Sequence, residues 1–380
     1  MRGNAMRFLF SVALAFLLAA CSNSDTYSAS TGDDSPDQEW VWVPYDSDQL
    51  QISGRTSYGL DSAVVLSWSA STVTIGFVGT ALEAKLWTNN HLYLDVLVDG
   101  EADPSNTLQF LQAEVGVTVM PVVAGLPYGP HVVTLYKTSE SSQGDWFFYG
   151  MRVKGKVDAS LLPKVPERRI EFVGNSITCG QDVLNPEPGT DAGWAYESAY
   201  YSYAGQVARI LGAEIHNICM SGRGLSINFD GSKAFLLPSV YENTGTVSLF
   251  AVPWDHGRWH PDLVVVNAGT NDFASGKLDS TLFMDAAVKF VGKIRSYHPQ
   301  AKIVILDGPM LIGEEMLKCR RMLDRVKATL ESQGVKDLFR ISLEPKGVTP
   351  FGIYYHPNRE EAAMDAESLS AWIRSELGWK

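Results

Sequence analysis

Two hydrophobic periods divide the chain. Over residues 40–157 short runs such as AVVLSW, STVTIGFVG, LEAKLW, LYLDVLVDG, VGVTVMPVVAG, HVVTLYKT and WFFYGMRVKG are rich in Val, Leu, Thr and aromatics. They often alternate, and Gly, Pro, Asn or Asp separates them, which predicts about seven strands and no helix. Strands at this spacing form an all-β sandwich, expected to be of jelly-roll type. From residue 169 the period changes. Unbroken apolar runs (IEFVG, AEIHNICMS, PDLVVVNAG, AKIVILDG, LFRISL) alternate with helical stretches over 202–211, 282–297, 314–333 and 359–377. Strands without alternation, separated by helices, predict a parallel sheet covered on both faces, a three-layer flavodoxin-like α/β domain. Pro163 and Pro166 stiffen the join, giving a β-sandwich over 40–160, a linker over 161–168 and an α/β domain over 169–380.

The amino terminus has a different pattern. Arg2 and Arg7 precede a short apolar run over 8–18, the order of a secretory signal rather than a membrane span. Leu18-Ala19-Ala20-Cys21 resembles the lipobox of bacterial lipoproteins, which implies removal of residues 1–20 and lipidation of Cys21. The polar stretch that follows to residue 39 reads as a flexible tether. The expectation is a protein held to a bacterial membrane outside the cytoplasm.

Composition narrows the function classes. A chain of 380 residues that is 45% hydrophobic and 19% charged has ample material for two cores. Its formal charge of -12 repels polyanions and argues against nucleic-acid binding. With Cys21 lipidated, Cys179, Cys219 and Cys319 remain, without the C-x-x-C spacing of zinc or redox sites. A bridge between Cys179 and Cys219 is possible, but buried free thiols are the default expectation.

Candidate chemistry gathers where the predicted strands end. The run at 168–174 stops at Gly174-Asn175-Ser176, the next strand at Ser221-Gly222-Arg223, the third at Gly269-Thr270-Asn271-Asp272, and His356-Pro357 stands before the last helix. Strand ends of a parallel sheet converge on one edge, so these residues can meet. Taken alone, Asn175 or Ser176 reads equally well as a helix cap. Taken together, the four clusters supply acyl transfer. Ser176 is the nucleophile and His356 its base, while the backbone N–H groups of Ser176 and Gly222 and the amide of Asn271 face the oxyanion. Neither metal nor cofactor is called for. His256 and His260 stand four apart, but Pro253, Gly257 and Pro261 break any helix that would give this spacing meaning for a metal. Trp254 and Trp259 are candidates for a sugar-binding wall, Arg223 for a substrate contact, and Asp272 for a structural role.

These motifs resemble the conserved blocks of the SGNH (GDSL-type) hydrolases, with GNSIT for the commoner GDS, Gly222 in block two, GTND in block three and His356 of YHPN in block five. The β-rich region ahead of them, with SITCG and SGRG, is similar to carbohydrate esterase family two. The resemblance implies a serine esterase that removes acetyl groups from oligo- or polysaccharides such as xylan or mannan. One position departs from the pattern. The aspartate that often precedes the histidine by three residues is Ile353 here, so His356 would be oriented by a backbone carbonyl, as the family allows, or by another carboxylate such as Glu344. Two other readings stay open: a noncatalytic carbohydrate-binding lipoprotein, and an SGNH esterase of lipids or peptidoglycan.

Overall fold

All five apolar runs downstream of the linker lie in one parallel sheet, in a computed structural model that describes residues 39–58, 62–110, 116–187, 189–190, 193–246, 251–350, 352 and 354–379. The expected signal segment, Cys21 with nearly all of the tether, and Ile353 lie outside the described residues.

The β-rich region is built from β1 (Trp40–Pro44), β2 (Leu50–Ser53), β3 (Thr56–Tyr58), β4 (Val64–Leu66), β5 (Thr72–Thr88), β6 (Leu92–Val98), β7 (Glu101–Phe110), β8 (Thr118–Val123), β9 (Gly129–Lys137) and β10 (Trp146–Val157). They form a ten-stranded antiparallel sheet in the order β3-β4-β10-β5-β9-β6-β7, with β1 on β10 and β2 and β8 on β5. The long β5 takes different partners along its length, β2 and β9 on its first half and β8 and β10 on its second. The core holds Ile75, Phe77, Leu94, Val133, Trp146 and Phe148, all essentially without solvent contact. Two of the expected strands merge, and four strands were not expected. STVTIGFVG and LEAKLW are one strand, because Gly79 continues the extended chain instead of turning it. The polar run of β7 lacks the alternation that would reveal a strand, and β1 to β3, of three to five residues each, are too short for a period to stand out.

The α/β part follows: β11 (Arg168–Gly174), α1 (Ser176–Cys179), α2 (Tyr203–Ile210), β12 (Ala213–Cys219), α3 (Leu237–Val240), β13 (Leu263–Asn267), α4 (Thr270–Ala274), α5 (Ser280–Tyr297), β14 (Lys302–Asp307), α6 (Gly313–Ser332), β15 (Leu338–Ser342) and α7 (Arg359–Leu377). The strand order β12-β11-β13-β14-β15 is that of the flavodoxin-like sheets, with the chain's first strand of this sheet in second place. Successive residues of the buried strands point to opposite faces. Val264 and Val266 pack with Phe283, Phe290 and Leu323 of α5 and α6, whereas Leu263 and Val265 pack with Val207, Leu369 and Ile373 of α2 and α7. Each such side chain contributes about 1.5–3 kcal/mol of burial, so the sheet is a rigid base for the loops on its carboxyl edge.

Both sheets belong to the compact unit Gln38–Lys380, joined by a buried ion pair. The Arg55 guanidinium meets the Glu171 carboxylate of β11 at 2.9 Å, and both side chains are shielded from solvent. The Tyr241 hydroxyl donates to the same carboxylate at 2.6 Å, and the Arg55 guanidinium lies over the Tyr241 ring. A buried pair of this kind is strongly destabilising to break, because the survivor is an uncompensated charge.

Candidate active site

Strand β11 ends at Gly174, where any side chain would collide with Thr178, so the chain can turn tightly into α1. Asn175 caps that short helix, its Oδ1 accepting from the Ile177 N–H at 3.0 Å. Ser176 is the first helical residue and is nearly buried. The cap and the expected nucleophile are therefore adjacent residues, and the uncharged Asn175 makes the capping bond itself. Cys179 closes α1 and is bonded to Cys219 at the end of β12, with Cα atoms 5.5 Å apart. That corrects the expectation of free thiols: the parallel register sets Gly174 opposite Cys219, which brings the two loops within bridging distance. Cys319 alone is free, and buried, among the described residues.

The turn after β12 carries Gly222 at φ +74°, a left-handed conformation that glycine adopts without strain. Asn271 stands in α4, and its side-chain amide donates to the Arg223 carbonyl at 2.8 Å. Asp272 beside it accepts from the N–H groups of Leu225, Ser226 and Ile227 and from the Ser226 hydroxyl, all within 3.1 Å. It thereby fixes the loop that follows Gly222, even though burial raises its carboxyl above the usual range. His356 comes from the loop ahead of α7. Asn358 holds that loop by accepting from the Glu361 N–H at 2.8 Å while its own N–H donates to Thr349.

These elements bring His356 Nε2 to 2.9 Å from Ser176 Oγ. Ser176, Gly222, Asn271 and His356 line one cleft of about 460 Å³ with Glu140, Asp182, Trp194, Phe229, Met310 and Tyr354. Trp194 and Tyr354 are substantially exposed on its walls, and Phe229 meets Tyr354 edge-on. Glu140 belongs to the β9–β10 loop of the β-rich region, and its carboxylate accepts from the Ser221 N–H at 2.7 Å. Behind it, Lys137 donates to the Ser139 carbonyl at 2.6 Å, and burial brings its ammonium down to about 8. Burial, reinforced by Glu140, raises the Glu197 carboxyl well above the ordinary range. Glu140, Cys179 and Glu197 approach one another like metal ligands, but the sulfur of Cys179 is committed to the disulfide.

Not every expected site residue reaches the cleft. Trp254 and Trp259 line a separate cavity of about 360 Å³ with Glu214 and His216, at the start of β12. A strand of seven residues spans about 20 Å, which separates that cavity from Ser221 at the other sheet edge. The Trp259 ring stacks on His216 at 3.7 Å and lies under Arg169, while Trp254 lies between Arg55 and Arg258, so all these faces are covered. Arg223 contributes its carbonyl to Asn271, and its guanidinium approaches the Ala234 carbonyl at 3.4 Å. His256 stacks on Tyr297 at 3.9 Å, and burial with the nearby Arg55 lowers it to about 3. Glu344 pairs with Arg320 at 2.9 Å and is turned to solvent.

A nucleophile turn after the first strand of a 2-1-3-4-5 parallel sheet, with its histidine ahead of the last helix, is the plan of the SGNH hydrolases. Residues 172–376 match the family model described as GDSL-like Lipase/Acylhydrolase family, and residues 52–163 match the one described as Carbohydrate esterase 2 N-terminal. The chain belongs to the family two carbohydrate esterases. A solved family two carbohydrate esterase from Clostridium thermocellum, in complex with cellohexaose, superposes with a TM-score of 0.81 at 30% identity, covering 87% of this chain and 100% of that one. The "Cellulase/esterase CelE" of Acetivibrio thermocellus is 31% identical over 340 residues, 88% of this chain but 40% of that protein. An "Acetylxylan esterase / glucomannan deacetylase" of Cellvibrio japonicus is 26% identical over 379 residues, 98% of this chain and 100% of the relative.

Proposed function

We propose that the protein is a serine esterase that removes O-acetyl groups from plant polysaccharides or their oligosaccharides. The observation that carries this reading is the hydrogen bond between His356 Nε2 and Ser176 Oγ in a cleft shared with Gly222 and Asn271. Ser176 Oγ attacks the acetyl carbonyl while its proton passes to His356 Nε2. The Ser176 and Gly222 N–H groups and the Asn271 amide stabilise the oxyanion, each worth about 3–4 kcal/mol in comparable sites. His356 then protonates the sugar oxygen as the C–O bond breaks, leaving an acetyl-enzyme. Water, deprotonated by His356, attacks that ester and acetate leaves with Ser176 restored.

The choice of substrate is supported by the names of the relatives and by the exposed Trp194 and Tyr354, rings on which a pyranose face can lie. The membrane-anchored location outside the cytoplasm is supported by the Arg2, Arg7 and Cys21 pattern and by the Cys179–Cys219 disulfide, which suits an oxidising compartment. Acetate release from acetylated xylan, acetylated glucomannan, O-acetylated peptidoglycan and a long-chain ester tests the substrate class. Preference for the first two is expected; preference for either of the others overturns it. Labelled palmitate incorporation into the native chain but not a Cys21→Ser variant tests the anchor.

A further inference from the structure

The proposed Ser176–His356 pair leaves the second imidazole nitrogen to be explained. A base is useful only if its tautomer is fixed, with the proton on Nδ1 and the lone pair of Nε2 facing the serine. The geometry points to Asp182 as the group that fixes it, an inference that rests on the Ser176–His356 reading. The Asp182 Oδ2 lies 3.4 Å from His356 Nδ1, opposite the Nε2 that meets Ser176, and both side chains are largely shielded.

Four further observations carry the assignment. Asp182 sits at φ +57°, a left-handed conformation that costs a non-glycine residue energy and that aspartate tolerates better than most. The turn is held by the Asn185 N–H donating to the Asp182 carbonyl at 2.8 Å, so the carboxylate is aimed by a fixed backbone. Two other acidic candidates among the described residues are engaged elsewhere. Glu140, which lines the same cleft, accepts from the Ser221 N–H and the Ser142 hydroxyl, and Glu344 pairs with Arg320. Among the described residues, the second oxygen of Asp182 has only a long contact of 3.5 Å, with the Gln181 amide.

This places the acid just downstream of the nucleophile, on the loop that leaves α1, rather than just ahead of the histidine. Asp182 would act through His356, holding the ring and favouring the imidazolium that forms when Ser176 gives up its proton. It is a positioning residue.

Asp182→Asn and Asp182→Gly test it, since both replacements accept the left-handed backbone. With an aryl acetate, kcat is expected to fall roughly 10- to 100-fold in both, less than the about 10⁴ lost when a fully buried triad aspartate becomes asparagine. KM should change little. The acid limb of the pH–rate profile should move to lower pH, because the imidazolium loses a neighbouring anion. A loss of rate with an unmoved acid limb would be a purely structural effect and would overturn the assignment, as would kcat within twofold of native in both variants. Ser176→Ala and His356→Ala run beside them. If these two are inactive while the Asp182 variants are normal, only the Asp182 assignment fails; if Ser176→Ala remains active, the serine mechanism itself fails.

Discussion

Removing the Cys179–Cys219 bridge should weaken both the fold and the catalytic edge of the sheet. The bridge spans a sequence separation of 40. Loop-closure entropy for a ring of that size amounts to about 13 cal/mol/K, or about 4 kcal/mol at 25 °C. The native geometry adds a second effect. Cys179 ends the helix that starts with Ser176, and Cys219 ends the strand that leads to Gly222, so the bridge fixes the proposed nucleophile relative to the proposed oxyanion donor. A Cys179→Ala/Cys219→Ala double variant should lose about 3–4 kcal/mol in urea denaturation, with kcat lowered severalfold. Native protein treated with reductant should converge on the variant, and the variant should not respond to reductant. A native midpoint unmoved by reductant, or a loss under about 1 kcal/mol in the variant, would refute the argument that this bridge restrains the unfolded chain.

Three other outcomes follow from the same geometry. Glu140→Ala leaves the Ser221 N–H without its charged acceptor, which should cost about 1–2 kcal/mol in transition-state binding, a 5- to 30-fold fall in kcat on an aryl acetate. Unchanged kcat would show that the β-rich region does not support the cleft. Burial, with a contribution from Glu361, raises the Asp365 carboxyl to about 8. The native state keeps a proton there that the unfolded chain releases near pH 4, so stability falls by about 1.4 kcal/mol per pH unit between those values. Asp365→Asn should flatten that decline, and melting curves that stay parallel to native from pH 5 to 8 would contradict it. Trp194→Ala should raise KM on acetylated oligosaccharides with little change on an aryl acetate; an equal effect on both would count against a sugar-binding wall.

The parts of the fold that were legible in the sequence are those in which local pattern and tertiary role agree. Unbroken Val, Ile and Leu runs such as LVVVN occur where a strand is covered on both faces, and the expected helix over 359–377 is found with those bounds. Ser176, Gly222, Asn271 and His356 could be singled out because each follows a strand or precedes a helix in a sheet whose edges converge. β7 was missed because EADPSN carries no alternation. Asp182 and Glu140 were not visible because neither stands at a motif position. Glu140 comes from a loop 81 residues away from the N–H it binds, a distance that only folding removes. Trp254 and Trp259 mislead for a related reason: tryptophan signals either a sugar wall or a buried junction, and here cation–π partners cover the faces.

The central claim is that Ser176 carries the acyl group. Incubating the native protein with an aryl phosphonate ester and mapping the adduct by peptide mass spectrometry tests it directly, because an activated nucleophile displaces the aryl group and stays covalently marked. The account predicts one phosphonyl group per chain, on the peptide that holds Ser176, with loss of esterase activity in proportion to labelling and no label in His356→Ala. An active protein that takes no label, or label on another residue that tracks the loss of activity, would contradict it.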